Sequence, residues 1–270
     1  MDAPDPQSPE PQDGAEPQTR PARARWAMAP RRDMPLVQLL PNLMTVAALC
    51  AGLLAIRLAA RGDYANAVAL IIVAAVLDGL DGRLARFLKS ESPIGAELDS
   101  LADFLNFGVA PGLIISFWAF PAAADLGWGA AMIYVVCCVL RLARFNVGNE
   151  VAAGLARLGK FQGVPSPAGA MLVMLPLYVA FLWPDAPRLP EIALSLWLVG
   201  VGFLMISRMA TPSLKSVRVP TERASFVLVA GVALVVILLR YPWAALTTIS
   251  LAYLAVLAVT GFAQLRRSRG

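Results

Sequence analysis

Asp78-Gly-Leu-Asp81-Gly82-Arg-Leu-Ala85-Arg86 and, after eight intervening residues, Gly95-Ala-Glu-Leu-Asp99-Ser-Leu-Ala-Asp103 join the end of one strongly apolar stretch to the start of the next. A carboxylate at a helix centre in lipid costs roughly 3 kcal/mol on insertion scales. On a helix, residues three or four apart share a face, so Asp78 and Asp81 project together, as do Asp99 and Asp103. The connection is short enough to make the two helices antiparallel neighbours, and both pairs then aim at one point. Two unit charges 4 Å apart repel by about 4 kcal/mol at an effective dielectric of 20. Four ionised carboxylates in one pocket therefore need a cation.

Composition places this pocket in a membrane. The 270 residues are 58% hydrophobic and 15% charged, and the mean hydropathy is +0.65, values that fit an all-α bundle of membrane-spanning helices. Apolar runs of about 20 residues, enough to cross a bilayer, fall near 39–60, 64–87, 97–118, 126–147, 166–184, 190–209, 224–241 and 243–264. The expectation is a polytopic bundle of about eight spans over residues 35–270. Prolines between Trp183 and Pro190, and in Arg240-Tyr-Pro-Trp243, should end helices and turn the chain. Residues 1–34, rich in Pro, Gln and acid and then in Arg, are expected to form a disordered cytoplasmic tail. No apolar run follows the first Met, so a cleaved signal peptide is not expected.

Charge sets the orientation. One set of loops carries Arg83, Arg86 and Lys89, then Arg141, Arg144, Arg157 and Lys160, then Arg208, Lys215, Arg218 and Arg223, then Arg266, Arg267 and Arg269. The opposite side holds little beyond Arg57, Arg61, Arg188 and Arg240. The positive-inside rule puts both termini and the aspartates on the cytoplasmic side. The net charge of +5 belongs to these loops, and no nucleic-acid stripe of basic and aromatic residues is formed.

Several chemistries are excluded. Histidine is absent, which removes imidazole acid/base catalysis, Ser-His-Asp triads and His-ligated metals. Cys50, Cys137 and Cys138 lie in apolar runs without ligand spacing, and no disulfide is expected. A metal held here must be hard and oxygen-ligated. Mg²⁺ or Mn²⁺ fits, as one ion or as a pair, and Mg²⁺ tends to join carboxylates to substrate phosphates. Gly82 lets a ligand approach the backbone, and Arg86, one turn on, can grip phosphate oxygens. Gly95 serves helix packing or substrate approach. Asn42 and Thr45 are candidates for nucleotide or phosphate contact, or else cap and pack the first helix. Ser90 and Ser92 are candidates for ribose or phosphate contacts.

The spaced pattern Asp78, Asp81, Gly82, Ala85, Arg86, Gly95, Asp99 and Asp103 resembles, at every fixed position, the signature of the CDP-alcohol phosphatidyltransferases. That resemblance implies membrane enzymes that move a phosphatidyl group from a CDP-linked lipid to an alcohol and release CMP. It implies that Asp78, Asp81 and Asp99 are metal ligands, that Asp103 lies by the metal as the base, and that Gly82, Ala85 and Arg86 line the cytidine diphosphate site. It also implies a homodimer in the bacterial cytoplasmic membrane. Further segments are similar to one branch, the membrane-embedded phosphatidylserine synthases: Leu40-Pro-Asn-Leu-Met-Thr45, Asp99 through Pro111, Arg141-Leu-Ala-Arg-Phe-Asn146, Phe161-Gln-Gly-Val-Pro-Ser-Pro167 and Ser207 through Lys215. Asn106 departs from the Ser common at that place in the branch.

The expected reaction is transfer from CDP-diacylglycerol to the hydroxyl of L-serine. Two divalent ions would steady the diphosphate while Asp103 takes the serine proton. Arg141 and Arg144, with Asn146 beside them, suit the acceptor's carboxylate, although arginines at a helix end also serve topology. Another acceptor within the family, such as glycerol 3-phosphate, an inositol derivative or choline, is the nearest alternative. A divalent-cation transporter is the alternative from another class, and it would place the carboxylates near mid-membrane on broken helices.

Overall fold

The computed structural model describes residues 36–120, 124–154, 163–207 and 224–267, and among them every regular element is helical. After a 3₁₀ turn (Leu36–Leu39) come α1 (Leu40–Ala60), α2 (Tyr64–Leu88) and α3 (Pro93–Asp103). A π-helical turn (Phe104–Val109) leads directly into α4 (Ala110–Ala119). Then follow α5 (Ala124–Gly154), α6 (Ser166–Val173), α7 (Leu175–Leu182), α8 (Glu191–Ile206), α9 (Ala224–Arg240) and α10 (Pro242–Arg267). The tail to residue 34 lies outside the described residues, as do the expected loop charges Arg157, Lys160, Arg208, Lys215, Arg218, Arg223 and Arg269. Phe161 and Gln162, and most of the segment from Ser207 to Lys215, lie outside them too.

Among the described residues, four helices are long and apolar enough to cross a bilayer: Leu40–Ala60, the continuous Pro93–Ala119, Asp125–Val147 and Pro242–Gly261. Glu191–Ile206 and Val229–Arg240 are apolar but shorter, and α2 carries Asp78, Asp81, Arg83 and Arg86 in its C-terminal half. Four of the expected eight crossings are thus supported by length and composition. The protein is membrane-embedded.

The stretch expected as one span over 166–184 is two helices. The break falls at Met174, because Pro176 has no N–H for the carbonyl of Leu172 four residues earlier. The Trp197 indole of α8 donates to that carbonyl at 3.0 Å instead. The same device recurs at Pro111, where the carbonyl of Phe107 four residues earlier accepts the Tyr134 hydroxyl of α5 at 2.7 Å. An unpaired carbonyl in hydrocarbon costs several kcal/mol, so both aromatic donors tie a proline-containing helix to its neighbour.

Small residues bring the helices together. A Cβ on Gly108 would stand 3.0 Å from Cys138 Sγ, one on Gly112 3.3 Å from the Tyr134 ring, and one on Gly202 3.2 Å from Cys137 Sγ. In lipid, where burial of apolar surface gives little drive, such close approach supplies the dispersion contact that holds helices together. Helix α5 is thereby gripped between α4 and α8. Cys137 and Cys138 are buried, Cys50 is exposed, and all three are free.

Candidate active site

The α2–α3 corner is short because both helices are capped within it. Lys89 ends α2 in the left-handed region (φ 51°), and the Ser90 N–H returns to the Ala85 carbonyl at 2.9 Å. Ser92 starts α3: its Oγ accepts from the Gly95 N–H at 3.0 Å, with Pro93 in the first turn. Ser92 is therefore committed to a helix cap. Ser90 is buried, and its hydroxyl has no partner.

The two aspartate pairs face each other across this corner. Asp78 interacts electrostatically with Asp103, Asp99 and Asp81, and Asp103 with Asp99 and Asp81. Asp81 is buried with both oxygens engaged: Oδ1 accepts the Gly82 N–H at 2.5 Å, and Oδ2 accepts the Thr45 hydroxyl at 2.5 Å. Thr45 is itself buried on α1, with the Pro41 carbonyl also within 3.1 Å. Its role is to fix a carboxylate, which local sequence could not reveal because the two residues lie 36 positions apart. Asp78 Oδ1 is buried without a partner. Asp78 and Asp103 are half-buried and Asp99 is exposed.

This donor set is all oxygen, carries concentrated negative charge and includes an orphaned buried carboxylate oxygen. Its chemistry fits a hard divalent cation. As they lie, no three acidic or thiol side chains among the described residues are gathered closely enough to hold one.

Beside the carboxylates, one face of α2 is open. A Cβ on Gly79 or Gly82 would meet nothing within 4 Å, and Arg83 and Arg86 lie exposed on the same side one turn further along. Gly79 was not singled out from sequence, although its spacing from Gly82 and Arg86 is the signal that could have found it. Ala85 is half-buried. Gly95 serves packing: a Cβ there would stand 2.7 Å from Asn42 Oδ1, so the glycine admits the Asn42 side chain of α1.

The three residues expected to hold an acceptor separate. Arg141 is half-buried and lies within electrostatic range of Asp103. Its Nη1 donates to the fully buried Ser166 Oγ at 2.5 Å, and its guanidinium sits 5.9 Å above the Phe145 ring. Arg144 turns away and donates to the Ile206 carbonyl at 2.9 Å, where a cation suits the C-terminal end of α8. Asn146 donates to Ser100 Oγ at 3.0 Å, tying α5 to the turn of α3 between Asp99 and Asp103. Ser166 was missed because its partner is 25 positions away in the chain. Asn106 is fully buried in the π-turn against Gly52, and neither end of its amide has a partner.

The chain is 42% identical over 190 residues to the CDP-diacylglycerol--serine O-phosphatidyltransferase of Mycobacterium leprae, covering 70% of this chain and 63% of that protein. It is 34% identical over 180 residues to the Helicobacter pylori (strain ATCC 700392 / 26695) protein of the same name, covering 67% of this chain and 74% of that one. With the Bacillus subtilis (strain 168) protein, again of that name, identity is 33% over 177 residues, 65% of this chain and 91% of the relative. The profile described as CDP-alcohol phosphatidyltransferase matches residues 38–207, which contain all four aspartates, Thr45, Arg141 and Ser166. The chain belongs to the CDP-alcohol phosphatidyltransferase family.

Proposed function

We propose that the protein transfers the phosphatidyl group of CDP-diacylglycerol to the hydroxyl of L-serine, giving phosphatidylserine and CMP. The observation that carries this reading is the meeting of two carboxylate pairs from α2 and α3 beside a half-buried arginine, Arg141, that Ser166 holds in place. The name shared by the relatives from M. leprae, H. pylori and B. subtilis supports serine as acceptor.

The family depends on divalent metal, and Asp78, Asp81, Asp99 and Asp103 are the residues to hold it, as two ions of Mg²⁺ or Mn²⁺. When bound, such ions offset the diphosphate charge and that of departing CMP. The protein's own groups do the rest. The open face of α2 at Gly79 and Gly82 receives the diphosphate, and Arg86 binds its oxygens. Arg141 takes the carboxylate of serine, which brings the hydroxyl toward Asp103. Asp103 accepts the hydroxyl proton as the serine oxygen bonds to the phosphorus bearing diacylglycerol, and the bond from that phosphorus to the CMP oxygen breaks. Direct displacement needs no enzyme nucleophile. The carboxylates and both termini face the cytoplasm in this reading, the side on which soluble serine and the nucleotide are found.

The test is to incubate the purified protein with CDP-diacylglycerol and Mg²⁺ or Mn²⁺, offer L-serine, glycerol 3-phosphate, inositol and choline, and measure CMP and lipid product. Serine is expected to be preferred. Equal turnover with glycerol 3-phosphate would overturn the acceptor.

A further inference from the structure

Two buried donors stand without partners, one of them, on Arg141, within electrostatic range of Asp103. Arg141 uses Nη1 on Ser166, but its Nε is buried and unpaired. The hydroxyl of Tyr253, on α10, is also buried and unpaired, and Tyr253 and Arg141 lie within electrostatic range of each other. Helix α10 reaches this place by packing on α6 and α7, and α6 begins with Ser166. Buried polar groups are nearly always hydrogen-bonded, and leaving them unpaired is unfavourable. Two unsatisfied buried donors within electrostatic range of each other, one of them cationic, call for an acceptor with two oxygens and a negative charge. A carboxylate has both.

We infer that Tyr253 is a specificity-determining residue that, together with Arg141 Nε, binds the carboxylate of the amino-acid acceptor. The inference rests on the proposed serine transfer and deepens it. It also assigns a part in the site to α10, which lies wholly beyond the family-matched residues 38–207. An acceptor held at its carboxylate end by α5 and α10 presents its hydroxyl to Asp103 on α3. An alcohol without the carboxylate gains nothing from either donor.

The experiment compares the full-length wild type with Tyr253→Phe, reading CMP release against L-serine and against serinol, in which a hydroxymethyl group replaces the carboxylate. Loss of one hydrogen bond to a charged group should raise the KM for serine about tenfold, while kcat and the KM for CDP-diacylglycerol stay within about twofold. Turnover of serinol should not change, so the preference for serine over serinol narrows by the same factor. Because the hydroxyl has no partner in the protein, the variant should melt no lower than wild type. An unchanged serine KM overturns the inference, and so does a lower melting temperature with kcat and both KM values disturbed together. A wild-type protein that releases CMP with other alcohols but not with serine defeats the proposed function, and this inference with it.

Discussion

Replacing Thr45 with valine removes one hydroxyl from the α1–α2 interface and leaves the side chain's shape. In the native protein that hydroxyl donates to Asp81 Oδ2 at 2.5 Å in a buried setting, while Oδ1 stays with the Gly82 N–H. A hydrogen bond to a charged group contributes about 1.5–3 kcal/mol, and about 1.4 kcal/mol is a factor of ten. If Asp81 ligates the metal through an orientation set by Thr45, the metal concentration for half-maximal CMP release should rise by roughly 10- to 150-fold. The assay is a titration of Mn²⁺ or Mg²⁺ at saturating CDP-diacylglycerol and serine. The serine KM, which the proposed mechanism assigns to Arg141, should hold. Thr45→Ser keeps the donor and should retain most of the affinity. A Thr45→Val protein with the wild-type metal dependence would refute the link from Thr45 through Asp81 to the ion.

Three further outcomes follow from the geometry. Asp103→Asn should abolish transfer while nucleotide binding, measured by equilibrium dialysis with CDP-diacylglycerol in detergent, largely persists, since the amide cannot accept the hydroxyl proton. Gly95→Ala should lower the melting temperature, because its Cβ would stand 2.7 Å from Asn42 Oδ1, and adding Asn42→Ala should restore it. Tyr134→Phe leaves the Phe107 carbonyl unpaired and should cost about 1–3 kcal/mol of stability in a detergent melt.

The helices were legible where hydropathy alone decides them. The runs near 39–60 and 64–87 became α1 and α2 almost residue for residue, because a long apolar run without a breaker has little alternative to a helix. The break at Met174 was also in the text, as Pro176, but averaging over an apolar window hides one proline. The carboxylate pairs were legible from spacing, since helical periodicity puts residues three or four apart on one face. What joins them to the rest of the molecule was not. Thr45 to Asp81, Arg141 to Ser166 and Asn146 to Ser100 are contacts between helices far apart in the chain, and no local pattern records which helices become neighbours. Arg144 is a further case: its bond to the Ile206 carbonyl of α8 joins residues 62 positions apart.

The bond from Tyr134 to the Phe107 carbonyl exists because Pro111 supplies no amide there. Each of these two residues makes the other necessary, so substitutions at the pair are order-dependent. A lineage that first trades Pro111 for a residue bearing an N–H can restore backbone pairing and then lose the tyrosine hydroxyl with little harm. One that loses the hydroxyl first must pass through a destabilised intermediate. Descendants of this chain should therefore surrender the proline before the tyrosine.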